Sequence, residues 1–285
     1  MIILLYNWQQ MNSNKTMDWV LNVLKDVLKI EIKKIDIDEE LKTREKTNEE
    51  KFIDAIENND ENGVKELLGK IEDINFINWQ NFTPLMEAAS SNSEASYNIA
   101  KILIEAGADV NFKRDDGNAA LHIVAHFGNE KITELLAENG ANVNAKNNSK
   151  LTPIMRAIGE KNNDVILVLL KFNPNLGIRG LYGHSTLHIA TIYNNIEIVE
   201  ALLSAGAYVD MLDNDSQTPL MFASQKGYVE VAKLLIKKGA NVNLVCKFGY
   251  YPLGFAVVNR HWDVAELLMD NGAKLYNITI HTYDQ

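Results

Sequence analysis

One short string returns along this chain at a nearly fixed interval. It reads Thr83-Pro84-Leu85-Met86, then Ala119-Ala120-Leu121-His122, Thr152-Pro153-Ile154-Met155, Ser185-Thr186-Leu187-His188, Thr218-Pro219-Leu220-Met221 and Tyr251-Pro252-Leu253-Gly254. The first two starts lie 36 residues apart, and each later start lies 33 from the one before. A second string keeps the same beat: Gly107-Ala108-Asp109-Val110-Asn111, Gly140-Ala141-Asn142-Val143-Asn144, Gly206-Ala207-Tyr208-Val209-Asp210, Gly239-Ala240-Asn241-Val242-Asn243 and Gly272-Ala273-Lys274-Leu275, with Asn173-Pro174-Asn175-Leu176 as a degenerate copy. A unit this small cannot bury a core by itself, so copies must stack. The 285 residues, long enough for two ordinary domains, are therefore read as one array.

Each part of the unit has a physical role. Thr caps a helix and Pro suits its first position, where the missing N–H would be unpaired anyway. Leu and the small residues after it, such as Ala88-Ala89, turn inward and let helices approach. A second apolar run follows, as in Ile198-Val199-Glu200-Ala201-Leu202-Leu203, with helical spacing of its buried side chains. Glycine then closes that helix in the left-handed conformation, and Asp, Asn and Gly shape a hairpin-like connection to the next unit.

This pattern resembles the ankyrin repeat family over about residues 46–280. The resemblance implies an all-α solenoid of helix-turn-helix units joined by β-hairpin-like loops. Counting back from Thr83 reaches Glu50, where Phe52 takes the place of Leu85 and Gly63-Val64-Lys65-Glu66-Leu67-Leu68 follows. This is read as a terminal capping unit. Seven units are expected, at about 46–77, 78–113, 114–146, 147–179, 180–212, 213–245 and 246–278, then a short tail. The three extra residues of the second unit are placed near Ser90–Glu94, as a longer turn between its helices. The fourth unit has Lys150 where Gly117 and Gly183 stand and Asn173 where Gly140 stands, so its hairpin is expected to deviate most.

Residues 1–45 lie outside the repeat. Val20, Val23, Leu24, Val27 and Leu28 are spaced as one face of a helix over about 17–29, expected to dock on the first unit or to bind a partner. The apolar opening Met1–Tyr6 lacks a basic lead and is too short for a signal core. No stretch approaches the roughly 20 apolar residues of a membrane span. Cys246 is the one cysteine, which excludes an internal disulfide and points to a reducing, cytoplasmic compartment. With 28 Lys+Arg against 38 Asp+Glu, the net charge of −10 disfavours nucleic acid.

Catalysis finds no constellation here. There is no phosphate-binding glycine loop and no nucleophile elbow. Asp115, Asp116, Asp213 and Asp215 fall where turns explain them. His122 and His126 have the i, i+4 spacing of metal ligands, but no third ligand is spaced to join them. By the resemblance, His122 and His188 instead tie neighbouring hairpins together. No enzyme activity, metal or cofactor is expected.

What remains is recognition. In the family register, hairpin tips and first helices line one concave surface whose residues carry no packing duty. On it fall Trp79, Phe82, His126, Phe127, Leu181, Tyr182, His184, Ile192, Tyr193, Phe248 and Tyr250. Aromatic side chains dominate protein interfaces, so these are the expected partner-binding residues, with Phe127, Tyr182, Ile192 and Tyr193 at their centre. The expectation is a monomeric scaffold or adaptor that binds another protein, or a regulatory subunit that positions a separate enzyme through the N-terminal helix. The abundance of Asn, Lys and Ile suggests an AT-rich genome, and with it a host-directed protein of an intracellular microbe.

Overall fold

A computed structural model describes residues 45–275. The helix expected over 17–29 and the last ten residues lie outside them. Among the described residues there are fourteen α-helices and no strand. They form seven pairs: α1 (Asn48–Glu57) with α2 (Glu61–Leu68), α3 (Pro84–Ala89) with α4 (Glu94–Glu105), α5 (Ala120–Phe127) with α6 (Glu130–Glu138), and α7 (Pro153–Glu160) with α8 (Asn163–Lys171). The series continues with α9 (Thr186–Ile192) and α10 (Ile196–Ser204), α11 (Pro219–Lys226) and α12 (Val229–Lys237), and α13 (Pro252–Val258) and α14 (Trp262–Asp270). First helices pack on first helices and second on second, so the array has two layers.

Most of the first helices start where a side-chain oxygen or an imidazole supplies a cap, though Thr152 and Tyr251 make no such bond. Thr47 and Glu50 form a reciprocal capping box on α1. Thr83 Oγ1 accepts from Met86 N at 3.3 Å and Thr218 Oγ1 from Met221 N at 3.2 Å. Ala119 has no such oxygen, and there His122 Nδ1 accepts from Ala119 N at 3.2 Å.

Inside each pair the 33-residue beat becomes a column. Phe52, Leu85, Leu121, Ile154, Leu187, Leu220 and Leu253 are all buried in one continuous core with Val64, Leu103, Leu136, Leu169, Leu202, Leu235 and Leu268 of the second helices. Each unit supplies half of a layer, which is why none is stable alone.

The connections are held by polar side chains that reach one unit along. Asn75 Oδ1 accepts from Asp109 N at 2.8 Å, Asn111 Oδ1 from Asn142 N at 2.8 Å, and Asn144 Oδ1 from Asn175 N at 2.7 Å. Asp210 repeats this contact with Asn241 N at 3.1 Å, and Asn243 with Lys274 N at 2.8 Å. One step is skipped, because Gly177 has no side chain to offer Tyr208.

Two expectations need correction. The extra residues of the second unit do lengthen its turn, to four residues between α3 and α4 where the other pairs have two or three, but they also add most of a helical turn, making α4 12 residues long where α6, α8, α10, α12 and α14 have 9. Ser96, inside that added stretch, is buried and donates to Ser91 O and Ser93 O, which stabilises the early start. The hairpin of the fourth unit also keeps its form. Asn147 N donates to Leu151 O at 3.0 Å and Lys150 N to Asn147 O at 2.9 Å, matching Arg114 N to Asn118 O at 3.0 Å and Gly117 N to Arg114 O at 2.8 Å. Lys150 and Asn173 simply take the left-handed conformation, with φ of 59° and 50°, at a cost of about 1–2 kcal/mol for a residue with a Cβ and less for Asn. The departure falls one unit on, where Leu181–Gly183 forms a 3-10 turn with Tyr182 at φ 57°.

Candidate protein-binding face

The first helices and the hairpins that precede them form one side of the array. At several tips a side chain fixes the turn: Asn78 Oδ1 accepts from Gln80 N and Phe82 N, at 3.0 and 2.9 Å, and Asp213 Oδ1 from Asp215 N and Gln217 N, both at 2.8 Å. Neighbouring tips are also tied by main chain, with Asn148 N donating to Asp116 O at 2.9 Å, Asn214 N to Tyr182 O at 2.9 Å and Lys247 N to Asp215 O at 3.0 Å. Side chains on this side therefore stand on a fixed backbone.

The sequence-derived residues separate into two groups. Trp79, Phe127, Leu181, Tyr182, Tyr193 and Phe248 are exposed, Tyr182 at 75% most of all. His126 is exposed as well, and Ile192 is half-buried. Phe127 ends α5 and Tyr193 follows α9; the same register position of α7 is Glu160, with Gly159 just before it. A Cβ on Gly159 would meet nothing nearer than the Tyr193 hydroxyl at 3.9 Å, so this part of the face is open.

Phe82, His184 and Tyr250 are half-buried and carry packing. The Arg114 guanidinium sits 4.8 Å above the Phe82 ring, and Tyr250 packs 5.3 Å from Phe255. His184 stacks on His188, with ring centres 5.6 Å apart and planes 11° apart, and meets the edge of Phe222. Its Nε2 lies 3.5 Å from Asp213 Oδ2. Burial lowers the His184 pKa below its ordinary value, and Asp213 opposes that shift.

His122 and His126 do not converge. His122 is buried, with Nδ1 accepting from Ala119 N and Nε2 3.1 Å from Leu151 O, so the proton sits on Nε2 and bridges to the next hairpin. His188 does the same between Ser185 N and Gln217 O, at 3.2 and 3.1 Å. Burial lowers both imidazoles, that of His188 to about 4. His126 points outward to Glu160 Oε1 at 2.9 Å, edge-on to Phe127. Arg156 completes this cluster, with Nε 3.2 Å from the same oxygen. Sequence reading missed Arg156 because it lies one turn before the positions where partner contacts were sought. Among the described residues no group of three or more His, Cys, Asp or Glu gathers in metal-binding geometry, and no helix is long and apolar enough to cross a membrane.

A family model described as ankyrin repeats in three copies matches residues 22–114, 52–147, 93–180, 121–213 and 187–279. Human ankyrin repeat and SOCS box protein 3 is 34% identical over 168 residues, covering 58% of this chain and 32% of that protein, so the chain spans about a third of its length. The ankyrin repeat protein FPV230 of fowlpox virus (strain NVSL) is 30% identical over 179 residues, covering 62% of this chain and 93% of that protein. The crystal structure of the ankyrin repeat domain of Bcl-3 superimposes with a TM-score of 0.70 at 21% identity, covering 77% of this chain and 97% of that domain. Repeat beat, paired helices, buried hairpin histidines and these matches agree, and the chain belongs to the ankyrin repeat family.

Proposed function

We propose that the array is a non-catalytic scaffold that holds a partner protein against its first-helix and hairpin face, centred on Phe127, Tyr182, Ile192 and Tyr193. Ankyrin repeats are in general protein–protein interaction modules. One observation supports the placement: Phe127, Tyr182 and Tyr193 leave 43%, 75% and 45% of their surface in water although the main chain of each is hydrogen-bonded, that of Phe127 and Tyr182 to neighbouring units and that of Tyr193 to Ile189. Large rings held out by a rigid frame bury much area on docking and lose little entropy. Trp79, His126, Leu181 and Phe248 extend the surface, and Phe82, His184 and Tyr250 support it from beneath. The partner meets a monomeric array in a reducing compartment such as the cytoplasm, and likeness to a fowlpox virus protein favours a host protein as that partner.

The test is affinity capture from cell lysate with three forms of the protein: unaltered, Phe127→Ala with Tyr193→Ala, and Leu167→Ala on the second-helix layer. Proteins held by the first and third but lost roughly tenfold or more from the double variant support the reading. Equal retention by a folded double variant refutes it.

A further inference from the structure

A second surface lies on the arm that leads into each hairpin. Lys113, Lys146 and Arg179 occupy one register position of three successive units, and all three are exposed. Each head group is placed by the unit ahead of it. Lys113 Nζ donates to Lys146 O at 3.2 Å, Lys146 Nζ to Arg179 O at 3.3 Å, and Arg179 Nη2 to Leu212 O. None of the three pairs with a carboxylate among the described residues. On a chain of net charge −10, this is a file of cations set in position and left without counter-ions among the described residues. At the same register position the next two units carry Leu212 and Val245, exposed at 40% and 50%.

We propose that this column docks an extended acidic segment of another protein, carrying a carboxylate at every third residue for three steps and an apolar side chain at the next two. The spacing selects the conformation. Packed helices stand about 8–10 Å apart, which sets the step along the column. A polyproline-type segment repeats its face every three residues at about 3.1 Å each, roughly 9 Å per step. A β-strand repeats its face every second residue, about 7 Å, and falls out of step after two contacts. An α-helix with carboxylates seven apart rises about 10.5 Å per step but turns away by about 20° each time. A phosphate backbone would meet three cations and then two apolar side chains that offer it nothing. The column is distinct from the aromatic patch, and either surface can fail without the other.

The probe is a synthetic peptide with Glu at every third position for three steps, Leu at the next two such positions, and Pro and Ala between, made in both chain directions. Its binding is followed by fluorescence anisotropy at low and moderate salt. Binding by one direction, weakened by salt and reduced roughly tenfold or more by Lys113→Glu with Lys146→Glu and Arg179→Glu, is the expected result. The milder Lys113→Gln, Lys146→Gln, Arg179→Gln protein, checked for native helicity, should also lose most of the affinity, and Phe127→Ala with Tyr193→Ala should lose none. Equal binding of a peptide with its Glu residues at alternate positions, equal competition by oligothymidylate, or undiminished binding by the folded Gln variant would each overturn the proposal.

Discussion

The buried histidines make stability depend on pH in a definite window. His188 titrates near 6.5 when unfolded, and burial holds it at about 4 in the folded array. Between those values the unfolded chain binds a proton that the folded chain refuses. The contribution is therefore complete above about pH 6.5 and is lost as pH falls toward 4. At pH 5 the difference amounts to about 2 kcal/mol, and well below pH 4 it approaches about 3 kcal/mol. His122 and His184 are lowered too and act with the same sign. Glu87 and Asp210, whose carboxyls burial pushes up, act against it. Replacing His188 by Gln isolates one group: the variant starts weaker at pH 7.5, but its urea midpoint should fall less between pH 7.5 and 5 than that of the unaltered protein, by the equivalent of about 2 kcal/mol. NMR of the His188 ring gives a direct second reading, since it should stay neutral until close to pH 4. If the two midpoints fell in parallel, or the ring titrated near 6.5, the assignment of an inaccessible imidazole bridging Ser185 N and Gln217 O would be wrong.

Two further outcomes concern the frame. Leu187→Ala removes a side chain 1% exposed at the centre of the column and should cost about 2–5 kcal/mol in denaturant unfolding, with loss of helicity reaching the neighbouring units. Gly159→Ala should do the opposite. Gly159 is helical, and the added Cβ meets only the Tyr193 hydroxyl at 3.9 Å, so the midpoint should rise by the equivalent of up to about 1 kcal/mol. A fall would show that the helix needs the glycine for a contact inside the chain.

The frame was largely legible in the sequence because its rules are local. A cap, a proline, an inward leucine and a closing glycine act within a few residues, and recurrence at 33 makes each copy check the others. What was not legible depended on which side chains pack or bond in the folded array, several of them one unit away. Phe82, His184 and Tyr250 looked like free aromatic or imidazole positions, yet Arg114 and Phe222, from the following units, and Phe255, from the adjoining helix, occupy their faces. The stretch after Ser90 reads as turn because Ser and Asn favour turns, and 90–93 are one, but the early start of α4 depends on the buried Ser96 hydroxyl, which the sequence pattern did not reveal. Lys150 looked disqualifying because glycine is the usual left-handed residue, but a cost of about 1–2 kcal/mol is small against the hydrogen bonds that close the hairpin.

Framework and exposed surface compete for the same positions, and the junction between the fourth and fifth units shows where the framework gives way. At the other junctions an Asn or Asp oxygen ties each unit to the next main chain. Here Gly177 gives no such oxygen, and the position it would have served is Tyr208, which stands 64% exposed. The hairpin that follows turns through Tyr182 in the left-handed conformation, and that ring is 75% exposed. Arg179, the last cation of the basic column, closes the fourth unit, and Tyr193, of the aromatic patch, belongs to the fifth. The relieved position itself carries the bulky Tyr208, while Arg179 keeps its bond to Leu212 O and Tyr182 O still accepts from Asn214 N. The core of the fifth unit meanwhile stays regular, with Leu187, Ala190, Ile198 and Leu202 at 1% exposure or less. Stability thus resides in the shared interior, while the loss of one ladder step falls on the surface.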